Sequence, residues 1–117
     1  MSRNNKLILE KANDAIMLGD NEGFLAFCTD DTKWVFVGER TLSGKKAVRE
    51  WMKEFYKEPP KFTVTNMIVD GDFVVALGSI KIKDEKGEEE NYSYCDVWQF
   101  SDSMIAWLNA FVIKSAD

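Results

Sequence analysis

The apolar positions change their spacing midway along the chain. In residues 6–18, KLILEKANDAIML, Ile8, Ala12, Ala15 and Ile16 fall on one helical stripe. Gly19 suits the residue just past a helix end. Asp20 or Asn21 then opens a short second helix through Cys28, with Phe24, Leu25 and Phe27 turned inward and Thr29-Asp30-Asp31 ending it. TKWVFVG alternates as a strand, placing Trp34 and Phe36 on one face and Val35 and Val37 on the other. With Ser43 as its N-cap, a third helix over GKKAVREWMKEFYK repeats Ala47, Val48, Trp51, Met52 and Phe55 at helical spacing, and Pro59-Pro60 stops it. Beyond Lys61 the pattern becomes a β-meander, with strands at about 62–69, 73–83, 90–101 and 104–114. Asp70-Gly71, the solvated acidic tip Asp84–Glu89 and Asp102-Ser103 separate them.

Helices followed by a run of antiparallel strands predict an α+β fold, with the helices on one face of a curved sheet. The last strand is apolar on both sides, carrying Ile105, Trp107, Phe111 and Ile113 on one and Met104, Ala106, Leu108, Ala110 and Val112 on the other. Such a strand is buried on both faces or covered by a second subunit, and a homodimer is the economical expectation.

The fifth segment, NYSYCDVWQF, sets Asp96 on one face with Tyr92, Tyr94, Trp98 and Phe100. A two-residue turn at Asp102-Ser103 pairs Trp98 with Trp107, Asp96 with Asn109 and Tyr94 with Phe111. A three-residue turn instead sets Asp96 against Leu108. The first register matches polar with polar and is preferred. Two explanations then compete for this face. Asp96 is either a structural acid bonded inside a packed core, or the polar group on the floor of an aromatic ligand pocket.

Composition narrows the chemistry. The chain has 117 residues, enough for one domain, and a net charge of −5 with no basic cluster, which argues against a nucleic-acid partner. No apolar run is long enough for a membrane span and the start MSRNNK lacks a signal-peptide pattern, so a cytoplasmic protein is expected. Cys28 and Cys95 have no metal-type spacing and are expected as reduced thiols. There is no histidine, which removes Ser-His and Cys-His nucleophiles and the usual zinc sites. No dinucleotide fingerprint, phosphate loop or metal-ligand cluster is present, so neither a cofactor nor a metal is expected.

Taken together, the helix running into LGDNEGFLAFCTDD, the strand TKWVFVG, the helix opened by LSGKKAVREWMKEF and the closing meander resemble the NTF2-like superfamily, in its SnoaL-like and ketosteroid-isomerase-like groups. The resemblance covers nearly the whole chain as a single domain, 1–117. It implies a cone of three helices wrapped on a strongly bent, mainly antiparallel sheet that encloses a pocket, with dimerisation through the outer sheet face. The isomerases of this group use an Asp base late in the first strand, a Tyr donor in the first helix and an Asp kept protonated by an apolar site. The corresponding places here are Phe36, Ala12 and Asp96. Double-bond isomerisation by that mechanism is not expected, because the base is missing.

The resemblance turns Asp96 into the cavity, where Tyr94 and Asn109 are its candidate partners. Trp34, Phe36, Trp51, Phe55, Trp98, Trp107 and Phe111 are the candidate aromatic lining, while Glu39 and Arg40 read as an exposed loop. The first expectation is a module that binds a small apolar molecule bearing one oxygen acceptor. The alternative is a dehydratase, cyclase or hydrolase in which Asp96 does the acid–base work. A third is a structural dimerisation domain whose own side chains fill the cavity.

Overall fold

The computed structural model describes residues 4–115. Three helices, α1 (Asn5–Met17), α2 (Asn21–Leu25) and α3 (Lys45–Phe55), pack on a six-stranded sheet. The strands are β1 (Cys28–Phe36), β2 (Arg40–Ser43), β3 (Lys61–Asp70), β4 (Phe73–Lys83), β5 (Glu89–Ser101) and β6 (Met104–Lys114). Their spatial order is β2-β1-β6-β5-β4-β3, antiparallel except for the β1–β6 pair, and the sheet does not close into a barrel. No helix among the described residues is long and apolar enough to cross a membrane.

Local chemistry explains most boundaries. Gly19, at φ +79°, follows α1, and the Asp20 amide donates back to the Ala15 carbonyl at 2.8 Å. The Asp20 carboxylate then caps α2 by accepting from the Gly23 amide at 2.9 Å. Asp102 and Ser103 both have positive φ, as a two-residue hairpin turn of the primed type requires.

Three boundaries differ from the sequence expectation. The segment from Cys28 to Asp31, expected to finish a helix and a turn, opens β1, where Cys28 pairs with Ile105. Of Glu39 and Arg40, expected in an exposed loop, Arg40 instead begins β2 (Arg40–Ser43), because Phe36 and Lys33 of β1 pair with Arg40 and Ser43. Ser43 is therefore held in the ladder, and Gly44 (φ +92°) takes the N-cap position of α3 with no capping side chain.

The most consequential difference lies in the last hairpin. Ser101 pairs with Met104, as the two-residue turn predicts, but the register slips between Gln99 and Phe100. Phe100 opposes Ile105 while Gln99 opposes Trp107, which leaves Ala106 as an extra residue. The slip has an anchor outside the hairpin. The Ile105 amide donates to the Phe27 carbonyl at 2.8 Å and its carbonyl accepts from the Thr32 hydroxyl at 3.0 Å. β1 shifts register at the same place, between Cys28 and Lys33.

The core lies between the helices and the concave sheet face. Leu9, Ala12 and Ile16 of α1, Phe24 and Leu25 of α2 and Val48 and Met52 of α3 meet Trp34, Val74, Trp98, Phe100, Ile105 and Leu108 of the sheet. Phe24 and Trp34 meet edge-on, with ring centroids 5.5 Å apart, and Trp98 crosses Trp34 at 5.9 Å.

Candidate functional site

On the concave face the ladder places residues in rows across the strands. One row runs Trp34–Leu108–Trp98–Val74, from β1 through β6 and β5 to β4. The next runs Phe36–Ala110–Asp96–Ala76–Met67. A third holds Val112, Tyr94 and Gly78. Asp96 thus has alanine on both neighbouring strands and glycine diagonally beside it. With strands about 4.8 Å apart, no large side chain stands directly beside the acid on the two neighbouring strands.

The bulge at Ala106 decides which residues share the Asp96 face. Asp96 opposes Ala110 rather than Asn109, Trp98 opposes Leu108 rather than Trp107, and Tyr94 opposes Val112 rather than Phe111. Trp107, Asn109 and Phe111 consequently lie on the convex face, opposite Gln99, Val97 and Cys95. There Asn109 accepts a hydrogen bond from the Trp107 indole at 3.3 Å, and the Lys33 ammonium sits 4.8 Å from the Trp107 ring. The polar pair expected between Asp96 and Asn109 does not form. One extra residue reverses every side chain beyond it.

Trp34, Phe36, Trp51, Phe55 and Trp98 are brought together. Trp34 contacts Trp98, Phe36 and Trp51, all edge-on. From Phe36 the rings continue as a near-parallel ladder, with Phe36 to Trp51 at 4.9 Å and Trp51 to Phe55 at 5.1 Å. Phe55 is the exposed outer end, where the Arg40 guanidinium lies 5.7 Å from its ring. The Trp34 indole N–H is buried without a hydrogen-bond partner.

Tyr94 is on the Asp96 face but turned away from the acid. Its hydroxyl donates to the Thr63 carbonyl on β3 at 3.3 Å. Its ring lies over Gly78, where a Cβ would stand 2.6 Å from the Tyr94 oxygen and would also strike the Thr63 carbonyl. Burial, and then the nearby Asp96 charge, push the Tyr94 phenol up to about 12.

Asp96 itself makes no hydrogen bond or ion pair with another described residue. Burial among the rings pushes its carboxyl up to about 7, and no cation or donor offsets that burial. A carboxyl in this position is a neutral donor below pH 7 and a carboxylate above it.

Tyr56 belongs with these residues and was absent from the sequence expectation. It ends α3 in a non-helical conformation (φ −113°, ψ 42°), its amide donates to the Met52 carbonyl at 2.8 Å, and its ring meets Trp51 edge-on at 5.0 Å. Its phenol is raised by burial and then by the Asp96 charge. The signal for it was position: an aromatic with a polar tip one turn after Met52, where the chain leaves the helix. A separate open groove of about 910 Å³ runs between α1 and β3, lined by Leu7, Lys11, Met17, Phe62, Val64 and Met67, and Asp96 does not reach it.

Three helices on an open, mostly antiparallel six-stranded sheet are the architecture of NTF2-like proteins. The SnoaL-like domain model matches residues 9–108, and the chain belongs to that family. No curated protein matches it. Among solved structures, an NTF2-like protein of unknown function from Cytophaga hutchinsonii is similar at 23% identity, covering 92% of this chain and 97% of that one, with a TM-score of 0.77. An epoxide hydrolase of M. tuberculosis, described as LEH-like, is similar at 14% identity over 95% of this chain and 84% of that one, with a TM-score of 0.83. TerC, crystallised with polyporic acid, is similar at 17% identity over 95% and 91%, with a TM-score of 0.79. At these identities the likeness concerns the fold.

Proposed function

We propose that this protein binds a small, largely apolar molecule through one oxygen acceptor, with neutral Asp96 donating to that oxygen and Trp34, Phe36, Trp51, Phe55 and Trp98 forming the wall. The observation that carries this reading is the unpartnered Asp96 carboxyl between Ala76 and Ala110. A buried acid without a partner costs stability, and a ligand acceptor would recover part of that loss. The named neighbours lend support from outside the chain: one is called an epoxide hydrolase and another was crystallised with an organic acid.

Amide and indole NMR with small aromatic ketones at pH 6 tests the reading. The expected result is movement of the indole resonances of Trp34, Trp51 and Trp98, lost in Asp96→Ala. Shifts confined to the α1–β3 groove, or none, would contradict it. A second reading is acid–base catalysis by the same carboxyl, favoured by a pKa close to neutrality. It requires a bound compound to be converted by the wild type and left intact by Asp96→Asn. Steroid double-bond isomerisation is not proposed, since Phe36 and Ala12 stand where that chemistry needs Asp and Tyr.

The convex sheet face leaves Trp107, Phe111, Ile113, Phe73 and Ile68 exposed. We infer a homodimer through this face, as expected for an apolar surface of this extent. Sedimentation of the wild type as a dimer, and of Phe111→Glu/Ile113→Glu as a folded monomer, is the expected result. A monomeric wild type would remove this inference and leave the ligand reading standing.

A further inference from the structure

The β2 edge of the sheet carries a cation that no carboxylate among the described residues answers. Arg40 opens β2 directly opposite Phe36, so both side chains stand on the concave face. The turn between them is tight: the Glu39 amide donates to the Phe36 carbonyl at 2.8 Å, and the Val37 amide to the Ala110 carbonyl at 3.0 Å. Arg40 is thus mounted on a hydrogen-bonded hairpin. Its guanidinium lies 5.7 Å from the ring centroid of Phe55, the last residue of α3. Phe55 is 52% exposed and stacks on Trp51 at an interplanar angle of 29°, and Trp51 meets Phe36 at 33°. The ring ladder that begins inside the fold therefore ends at the surface in an arginine. The other described arginine shows the contrast. Arg49 grips the Glu22 carboxylate with two hydrogen bonds, at 2.8 and 3.1 Å. Arg40 has only a ring, although the chain holds 20 acidic side chains against 15 basic ones, with Glu39 next to Arg40 and Glu54 next to Phe55.

We propose that Arg40 and Phe55 form a subsite at the rim of the concave face for the carboxylate of a flat aromatic acid. A guanidinium held against a ring keeps its fork of N–H donors in one orientation, and a carboxylate matches that fork with two parallel hydrogen bonds. Contact with the ring takes water from one side of the cation, which strengthens an ion pair made on the other. The exposed part of Phe55 then gives the acid's own ring a surface to pack on. An aliphatic acid lacks the second contact and a neutral aromatic lacks the first. The subsite does not depend on Asp96. Along the row Arg40–Phe36–Ala110–Asp96 the two lie three strand spacings apart, about 14 Å in all.

2-Naphthoate is the probe, since it is flat, fluorescent and ionised at pH 7.5, and 2-acetylnaphthalene is its neutral counterpart. Binding of both is measured to the wild type, Arg40→Gln, Arg40→Lys and Asp96→Asn. The expected result for Arg40→Gln is about a tenfold loss with naphthoate, the effect of a charge-assisted pair, and less than about a twofold change with acetylnaphthalene. Arg40→Lys should recover little of that loss, because an ammonium has no planar fork. Asp96→Asn should bind naphthoate like the wild type. In the wild type, the Arg40 Nε–H resonance should move in step with naphthoate saturation and stay still with acetylnaphthalene, a readout that does not depend on any variant. An equal loss of both compounds in Arg40→Gln, wild-type affinity in Arg40→Lys, or no naphthoate binding at all would each overturn the subsite. Naphthoate affinity that falls in Asp96→Asn and holds in Arg40→Gln would overturn it too, and would leave the Asp96 reading standing.

Discussion

Asp96→Asn removes an ionisable group while keeping its shape and polarity, so comparing the two proteins isolates what the acid does to stability. The ordinary carboxyl value of 3.8 is raised to about 7 in the folded protein. Below that ordinary value both folded and unfolded states hold the proton. Between it and pH 7 the unfolded state has released the proton and the folded state has not, so stability falls as pH rises. Above pH 7 both states are ionised and the loss levels off. At about 1.4 kcal/mol for each pKa unit, the full loss is about 4 kcal/mol, more than half of it between pH 5 and pH 8. The asparagine variant has no such dependence. Carboxylates held low by surface partners, such as Glu22 by Arg49 and Glu89 by Lys61, contribute with the opposite sign but equally in both proteins, and cancel. Urea unfolding at pH 5 and pH 8 is the assay. The variant should gain on the wild type across this interval by a midpoint difference of about 1–2 M, given ordinary urea slopes. Parallel stability profiles for the two proteins would refute a desolvated, unpartnered Asp96.

Two further predictions concern the surroundings of the acid. Gly78→Ala drives a methyl into the Tyr94 hydroxyl and the Thr63 carbonyl. It should cost about 1–3 kcal/mol in a denaturation experiment, and it should release the Tyr94 hydroxyl from Thr63, seen as a shift of its ring resonances. Cys28 is buried and its thiol is pushed up to about 12 by burial. It should therefore resist a thiol reagent at pH 8 in the native protein and react on unfolding; rapid native labelling of Cys28 would count against the packing beneath α2.

Much of this fold could be read from spacing. The amphipathic stripe of α1, the Trp51–Met52–Phe55 face of α3 and the positions of β3 to β6 follow from periods of 3.6 and 2, and Gly19 and Pro59-Pro60 mark real stops. Short-range pattern did not reveal β2, a four-residue edge strand defined by its pairing with β1 rather than by its own alternation. Nor did it reveal the bulge at Ala106. That irregularity is fixed by Phe27 and by Thr32, the latter 73 residues away from Ile105 in sequence, so nothing in the hairpin itself announces it. The consequence for the site was large. Asp96 and its aromatic neighbours on β5 keep their face, but Trp107, Asn109 and Phe111 lie on the other side of the sheet. Tyr56 escaped notice for a related reason: past the last helical turn, no period says which way a side chain turns.

Asp96 is a half-buried, desolvated acid with no partner among the described residues. Carbon-detected NMR titration of the Asp96 side-chain carboxyl, assigned with Asp96→Asn, tests this most directly. A midpoint of about 7 is expected, moving further upward when an oxygen acceptor such as 4-nitrophenol is bound, because the neutral donor form is then held. A midpoint at or below the ordinary carboxyl value of about 3.9 would mean a solvated or ion-paired carboxylate, and the functional reading of the concave face would be contradicted.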